Sequence, residues 1–95
     1  MNINELKELL TPVFQQNKVK KAALFGSRAR GDAREDSDYD FLVEFEPNAG
    51  WAYFGLPSEL EEVLDKKVDT ITYWSLDRQP DYFRNKVLED ARDIL

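Results

Sequence analysis

Two residue types are missing from this 95-residue chain altogether: it has no cysteine and no histidine. The first absence excludes a disulfide framework and thiolate chemistry. The second removes the commonest general base, the Ser-His-Asp triad and most zinc sites together. Any metal therefore has to be held by carboxylates, which suits a hard cation such as Mg²⁺ or Mn²⁺. Long apolar runs are missing too, since none approaches the roughly 18–20 residues that span a bilayer. The opening MNINELKELL mixes acid and base amphipathically and lacks the shape of a signal peptide, so the expected location is the cytoplasm. Positive charge is in short supply, with 13 Lys and Arg against 19 Asp and Glu and a net charge of −6. Lys18, Lys20 and Lys21 are the one basic cluster, so no basic face is laid out for long nucleic acid. The acidic balance favours a basic protein partner or a small phosphorylated ligand held locally.

What remains is the composition of an ordinary soluble protein, 42% hydrophobic and 34% charged. Its length predicts one domain over residues 1–95, with a core small enough to be marginal. Ile3, Leu6, Leu10 and Val13 recur at helical spacing behind Asn2 or Asn4 as a cap, and Pro12 is expected to end or kink that helix. VKKAALF at 19–25 reads as a buried strand that stops at Gly26-Ser27, and a short helix follows over 27–33. After a polar loop at 34–37, residues 38–46 alternate. Tyr39, Phe41, Val43 and Phe45 face one way; Asp38, Asp40, Leu42 and Glu44 face the other. Pro47, Asn48 and Gly50 make a turn. A second long helix is predicted over 51–64, its first half weakened by Gly55 and Pro57. A third strand is predicted over 68–73. A last helix from about Pro80 carries Phe83, Val87, Ala91, Ile94 and Leu95 on one face. The order is α-β-α-β-α-β-α, an α/β (α+β) unit.

The chemistry-bearing residues fall at the joints of these elements. Gly26-Ser27 stands between a strand and a helix, where glycine admits a close ligand and the helix start offers unpaired N–H groups. By itself such a turn is commonplace. Asp38 and Asp40, two apart on a strand, project from the same face with roughly 6–7 Å between Cα atoms. They are either two solvated aspartates on an open face or a pair whose repulsion is relieved by a cation or proton. Asp69 lies inside the apolar VDTIT strand, where aspartate is disfavoured. Three carboxylates plus a phosphate cradle match the needs of two-metal phosphoryl transfer. With no histidine, a carboxylate has to help remove the nucleophile's proton, and Asp69 is the natural candidate.

Residues 24–43, LFGSRARGDAREDSDYDFLV, closely resemble the core motif of the polymerase-beta-like nucleotidyltransferase superfamily. The matching positions are Gly26, Ser27, Ala29, Arg30, Gly31, Ser37, Asp38 and Asp40, and Asp69 in KKVDTIT matches the later acidic position in type and context. The likeness is greatest to the minimal members (MNT), small prokaryotic proteins encoded beside HEPN-domain ribonuclease toxins. The resemblance implies the polymerase-beta-like fold, a small mixed sheet flanked by helices. It implies ATP held by Gly26 and Ser27, two Mg²⁺ ions (or Mn²⁺) held by Asp38, Asp40 and Asp69, and Asp69 assisting deprotonation. Arg30 matches a motif position and either contacts phosphate or pairs with the Asp36–Asp38 region; Arg28 falls at a variable position and is expected to be solvated. The implied function is an antitoxin that transfers AMP from ATP to a hydroxyl, typically of a tyrosine, on a HEPN toxin. Neutralisation by binding alone is one alternative; nucleotidylation of a small molecule or an RNA hydroxyl is another. No direct nucleic-acid or membrane partner is expected.

Two further groups stand out. Trp51, Tyr53 and Phe54 read as core or helix packing, or else as an adenine-stacking wall or a partner surface. Tyr73 and Trp74 pose the same question. Glu59, Glu61 and Glu62 read as the polar side of a helix.

Overall fold

The computed structural model describes residues 1–95. Helix α1 spans Ile3–Gln16, strand β1 Val19–Phe25, helix α2 Ser27–Arg30 and strand β2 Tyr39–Phe45. Helix α3 follows at Ala52–Leu64, then strand β3 at Val68–Thr72, helices α4 at Tyr73–Leu76 and α5 at Asp81–Asp90, and strand β4 at Arg92–Asp93. The sheet runs β3-β2-β1-β4. β1 is antiparallel to β2 and to β4, whereas β2 and β3 are parallel and joined by the α3 crossover. It is a mixed α/β fold, as expected.

Strand alternation divides the apolar residues between two cores. Tyr39, Phe41 and Val43 face a large core shared with Leu6, Leu10 and Phe14 of α1 and Leu56 and Leu60 of α3. Leu42 faces a small core with Ala23, Leu76 and Val87, beneath α4 and α5. In β1 the bulge between Val19 and Lys21 resets the alternation, so Val19, Ala22 and Leu24 all reach the large core. The two predicted faces of residues 38–46 are those observed.

Several boundaries differ from the sequence expectation. Pro12 does not end α1, which runs on to Gln16; Pro12 and Glu8 lie on the exposed face, where water can reach the Glu8 carbonyl that the missing Pro12 N–H leaves unbonded. Asn2 is the cap: its Oδ1 accepts from the Glu5 amide at 2.9 Å, and Glu5 accepts in return from the Asn2 amide. Helix α2 stops at Arg30, not residue 33, because Gly31 turns left-handed and its N–H donates to the Ser27 carbonyl. Tyr73 leaves the strand to start α4, capped by Thr72, whose hydroxyl accepts from the Ser75 amide at 3.1 Å.

The largest correction is at the carboxyl end. The last helix ends at Asp90, and Arg92–Asp93 pair with Leu24 and Ala23 at the open edge of β1. Ile94 consequently enters the large core, across the sheet from Val87. A spacing of seven between Val87 and Ile94 fits one helix face, but it equally joins two elements on opposite sides of a sheet.

Helix α3 ends on Asp65 in the left-handed conformation (φ 54°), its N–H donating to the Glu61 carbonyl at 2.8 Å. Asp65→Gly removes the Cβ cost of that conformation and should stabilise the fold by up to about 1 kcal/mol, read as a shifted urea midpoint with unchanged slope.

Candidate active site

The site forms where β1 ends and β2 and β3 begin. Phe25 is paired with Asp40 across the antiparallel ladder, and Asp40 with Asp69 across the parallel one. Adjacent strands lie about 4.8 Å apart, so Asp40 and Asp69 are near neighbours on the sheet face that carries the small core. Asp38, two residues before Asp40, joins the same face; the Tyr39 amide between them donates to the Lys67 carbonyl at 3.0 Å. Asp38 and Asp40 are half-buried, and Asp69 is exposed.

Gly26 is fixed by that arrangement. It adopts φ 78°, ψ −158°, a region open in practice to glycine alone. A Cβ built there would stand 2.5 Å from Asp40 Oδ2. The carboxylate thus lies directly over the bare glycine backbone, beside the first-turn amides of Ser27 and Arg28, which have no carbonyl of their own helix to bond. Donors for an anion and acceptors for a cation are set side by side.

The electrostatics carry the same message. Burial, then the charges of Asp69 and Asp38, push the Asp40 carboxyl above the ordinary carboxylate range, with Arg30 offsetting part of the rise. No three acidic side chains are gathered closely enough to enclose an ion without further donors. An open set suits Mg²⁺, which usually takes one or two carboxylates and completes its shell with water and substrate phosphate.

Arg30 does not pair with the Asp36–Asp38 region. Its Nε donates to Asp32 at 3.0 Å and its Nη1 to Asp90 at 2.7 Å. Asp90, its side chain 8% exposed, also receives Lys86 at 3.5 Å, and the bond from Arg30 holds it below the usual carboxylate range. This tie between α2 and the end of α5 was not legible in sequence, since 60 residues separate the partners.

Arg28 is half-buried and engaged rather than freely solvated. Its Nη2 donates to the carbonyls of Ser37 (2.7 Å) and Glu35 (3.0 Å), and its guanidinium lies 4.4 Å from the Tyr39 ring centroid. It fastens the loop that delivers Asp38. Ser37 closes that loop, its hydroxyl accepting from the Arg34 amide at 2.8 Å.

The aromatic group is not core. Trp51 is 86% exposed, Phe54 71% and Tyr53 52%. It also stands away from the acidic site: Tyr53 packs on Phe45, five residues along β2 from Asp40 and so about 17 Å away. That separation argues against an adenine-stacking wall.

Residues 6–94 match the nucleotidyltransferase domain family. The chain belongs to that family. This nucleotidyltransferase is 44% identical, over the full length of both chains, to a Methanocaldococcus jannaschii protein provisionally named a protein adenylyltransferase. It is 35% identical to the protein adenylyltransferase MntA of Thermococcus cleftensis, covering 80% of this chain and 82% of that one. Among solved structures, one described provisionally as a minimal nucleotidyltransferase superposes with a TM-score of 0.73 at 32% identity, covering 97% of this chain and 95% of the other. A complex of a tri-AMPylated Shewanella oneidensis HEPN toxin with its MNT antitoxin gives a TM-score of 0.66 at 18% identity, over 99% of this chain and 72% of that one, a likeness of fold. The expected minimal nucleotidyltransferase fold is therefore the one observed.

Two substitutions probe the geometry. Gly26→Ala should lower nucleotidyl transfer by at least about 100-fold in steady-state kinetics while circular dichroism shows a folded chain, because the added Cβ displaces Asp40 from its place over the loop. Asp40→Asn should raise the melting temperature of the nucleotide-free protein at neutral pH. The raised folded-state pKa of Asp40 means that its ionisation opposes folding once pH exceeds that value and costs nothing below the unfolded value. The gain from Asp40→Asn should therefore fade in acid, as melts across the range from neutral pH downwards would show.

Proposed function

We propose that this nucleotidyltransferase is an antitoxin that transfers AMP from ATP to a hydroxyl, that of a tyrosine, on a HEPN-domain ribonuclease toxin in the cytoplasm, and so silences it. The observation that carries the reading is the Asp40 carboxylate seated over Gly26 with Asp69 beside it, an arrangement that supports a phosphate loop and a carboxylate set acting on one nucleotide. The relative named as a protein adenylyltransferase and the AMPylated toxin bound to an MNT antitoxin supply the class of acceptor. No helix is long and apolar enough to cross a membrane.

In this reading the Gly26 backbone and Ser27 hold the triphosphate. Asp38, Asp40 and Asp69 hold two Mg²⁺ ions, with Mn²⁺ as a substitute. Burial first, and then the neighbouring charges of Asp69 and Asp38, raise the proton affinity of Asp40, and a divalent cation would relieve the repulsion among these carboxylates. When bound, the ions supply charge neutralisation for the phosphates and the developing transition state. Arg30 Nη2, the one guanidinium nitrogen of Arg30 without a protein acceptor, is left for a phosphate oxygen. The acceptor hydroxyl oxygen bonds to the α-phosphorus, and its proton passes to the exposed Asp69 carboxylate. The bond to the β-phosphate breaks and pyrophosphate leaves.

The test is intact-mass spectrometry of the HEPN ribonuclease from the same genome after incubation with this protein, ATP and Mg²⁺. A gain of one or more AMP units, absent with the Asp38→Asn, Asp40→Asn variant, is the expected result. A stable complex without any gain in mass would overturn the reading in favour of neutralisation by contact.

A further inference from the structure

The exposed aromatic residues form one continuous surface. Ring centroids lie 6.0 Å apart for Trp51 and Phe54, 5.2 Å for Tyr53 and Phe54, and 5.5 Å for Phe45 and Tyr53. From there a cleft of about 330 Å³, walled by Val43, Phe45, Tyr53, Tyr73 and Trp74, carries the surface on to Trp74, itself 65% exposed. So much contiguous aromatic area on a small chain marks an interaction surface, since indole and phenol rings supply large contact area at low entropic cost. It occupies the far ends of β2 and β3, and the edge strand β3 runs from it (Thr72, paired with Val43) back to Asp69.

The rim tells what kind of partner fits. Glu46 follows Phe45, and Glu62 lies on the α3 face that bears Trp51, Phe54 and Ser58; neither has a Lys or Arg within salt-bridge reach. Lys18 and Lys20 line the same cavity as Glu46 without pairing with it, Lys20 being held by Glu44 at 3.4 Å, and on the opposite border the cations are engaged. Lys21 Nζ sits 4.5 Å over the Tyr73 ring and the Arg78 guanidinium 3.6 Å over Trp74. A second copy would add another net charge of −6 against unpaired carboxylates.

We propose that this face is the docking site for the protein acceptor, and that it receives an apolar patch whose rim presents Lys or Arg to Glu46 and Glu62. The inference rests on the reading that the acceptor is a protein. Docking and chemistry are thereby divided: the aromatic face anchors the acceptor, and the β3 edge leads from the anchor to the aspartates where its hydroxyl reacts.

The experiment compares wild type with Trp51→Ser, Phe54→Ser and with Glu46→Lys, Glu62→Lys, using the HEPN ribonuclease as acceptor. It measures calorimetric Kd for the acceptor, KM for the acceptor and for ATP, and oligomeric state by light scattering. All four side chains are exposed, so circular dichroism should show the fold unchanged. The aromatic variant should raise acceptor Kd and KM by at least about 100-fold, as for two central anchors, with kcat at saturating acceptor and KM for ATP unchanged. The charge variant should weaken acceptor binding and do so less at high salt. An acceptor Kd and KM unmoved by the aromatic substitutions would overturn the proposal. So would a wild-type homodimer that they dissociate without effect on the acceptor, which assigns the face to a second copy. If wild type binds the ribonuclease but adds no AMP, the catalytic reading fails alone, and the docking site stands or falls on the change in Kd. If wild type does not bind it, the docking proposal fails.

Discussion

The antiparallel register that sets Phe25 opposite Asp40 is the constraint on which the rest of this molecule depends. It brings the end of β1, and with it Gly26, under a carboxylate that leaves no room for a Cβ. Shifting that register by one residue would turn Asp40 into the large core and Tyr39 and Phe41 out of it. The same alternation that buries the apolar face of β2 therefore aims its aspartates. Core packing and site geometry are two consequences of a single ladder, and losing one disrupts the other.

Around that ladder the chain spends its arginines on backbone and acid partners at the site's edges. Arg28 bonds the carbonyls of residues 35 and 37 and stacks on Tyr39, so the loop before Asp38 is held from α2. Arg30 joins α2 to Asp32 and to the sheltered Asp90 at the end of α5. The helix that begins at Gly26-Ser27 is thus anchored on both sides. Preorganisation of this kind matters for phosphoryl transfer, where positioning and electrostatics do most of the catalysis. The cost that remains lies at Asp40, whose burial first, and then the charges of Asp69 and Asp38 on the same face, oppose its ionisation.

Much of this was legible in the sequence because it is carried by local patterns. Strict alternation at 38–46 assigned both faces of β2, and glycine between a strand and a helix located the loop. An aspartate inside an apolar strand identified Asp69, which the register then places beside Asp40. What escaped was long-range or ambiguous in period. The return of Arg92–Asp93 to β1 and the Arg30–Asp90 pair depend on which edge of the sheet stays open, and no local signal encodes that. Trp51, Tyr53 and Phe54 carry the composition of a core, and only the packing of α3 through Leu56 and Leu60 shows that they point away from it. Arg28 was expected to be solvated because the acceptors of its hydrogen bonds are backbone carbonyls, which leave no trace in residue type.

The most direct test of the central claim is paramagnetic broadening of the backbone amide resonances by Mn²⁺ together with a non-hydrolysable ATP analogue. Broadening centred on Gly26, Asp38, Asp40 and Asp69, sparing residues 51–54 and lost in Asp40→Asn, is the result that the geometry predicts. Broadening centred on the aromatic face, or unaffected by that substitution, would contradict it.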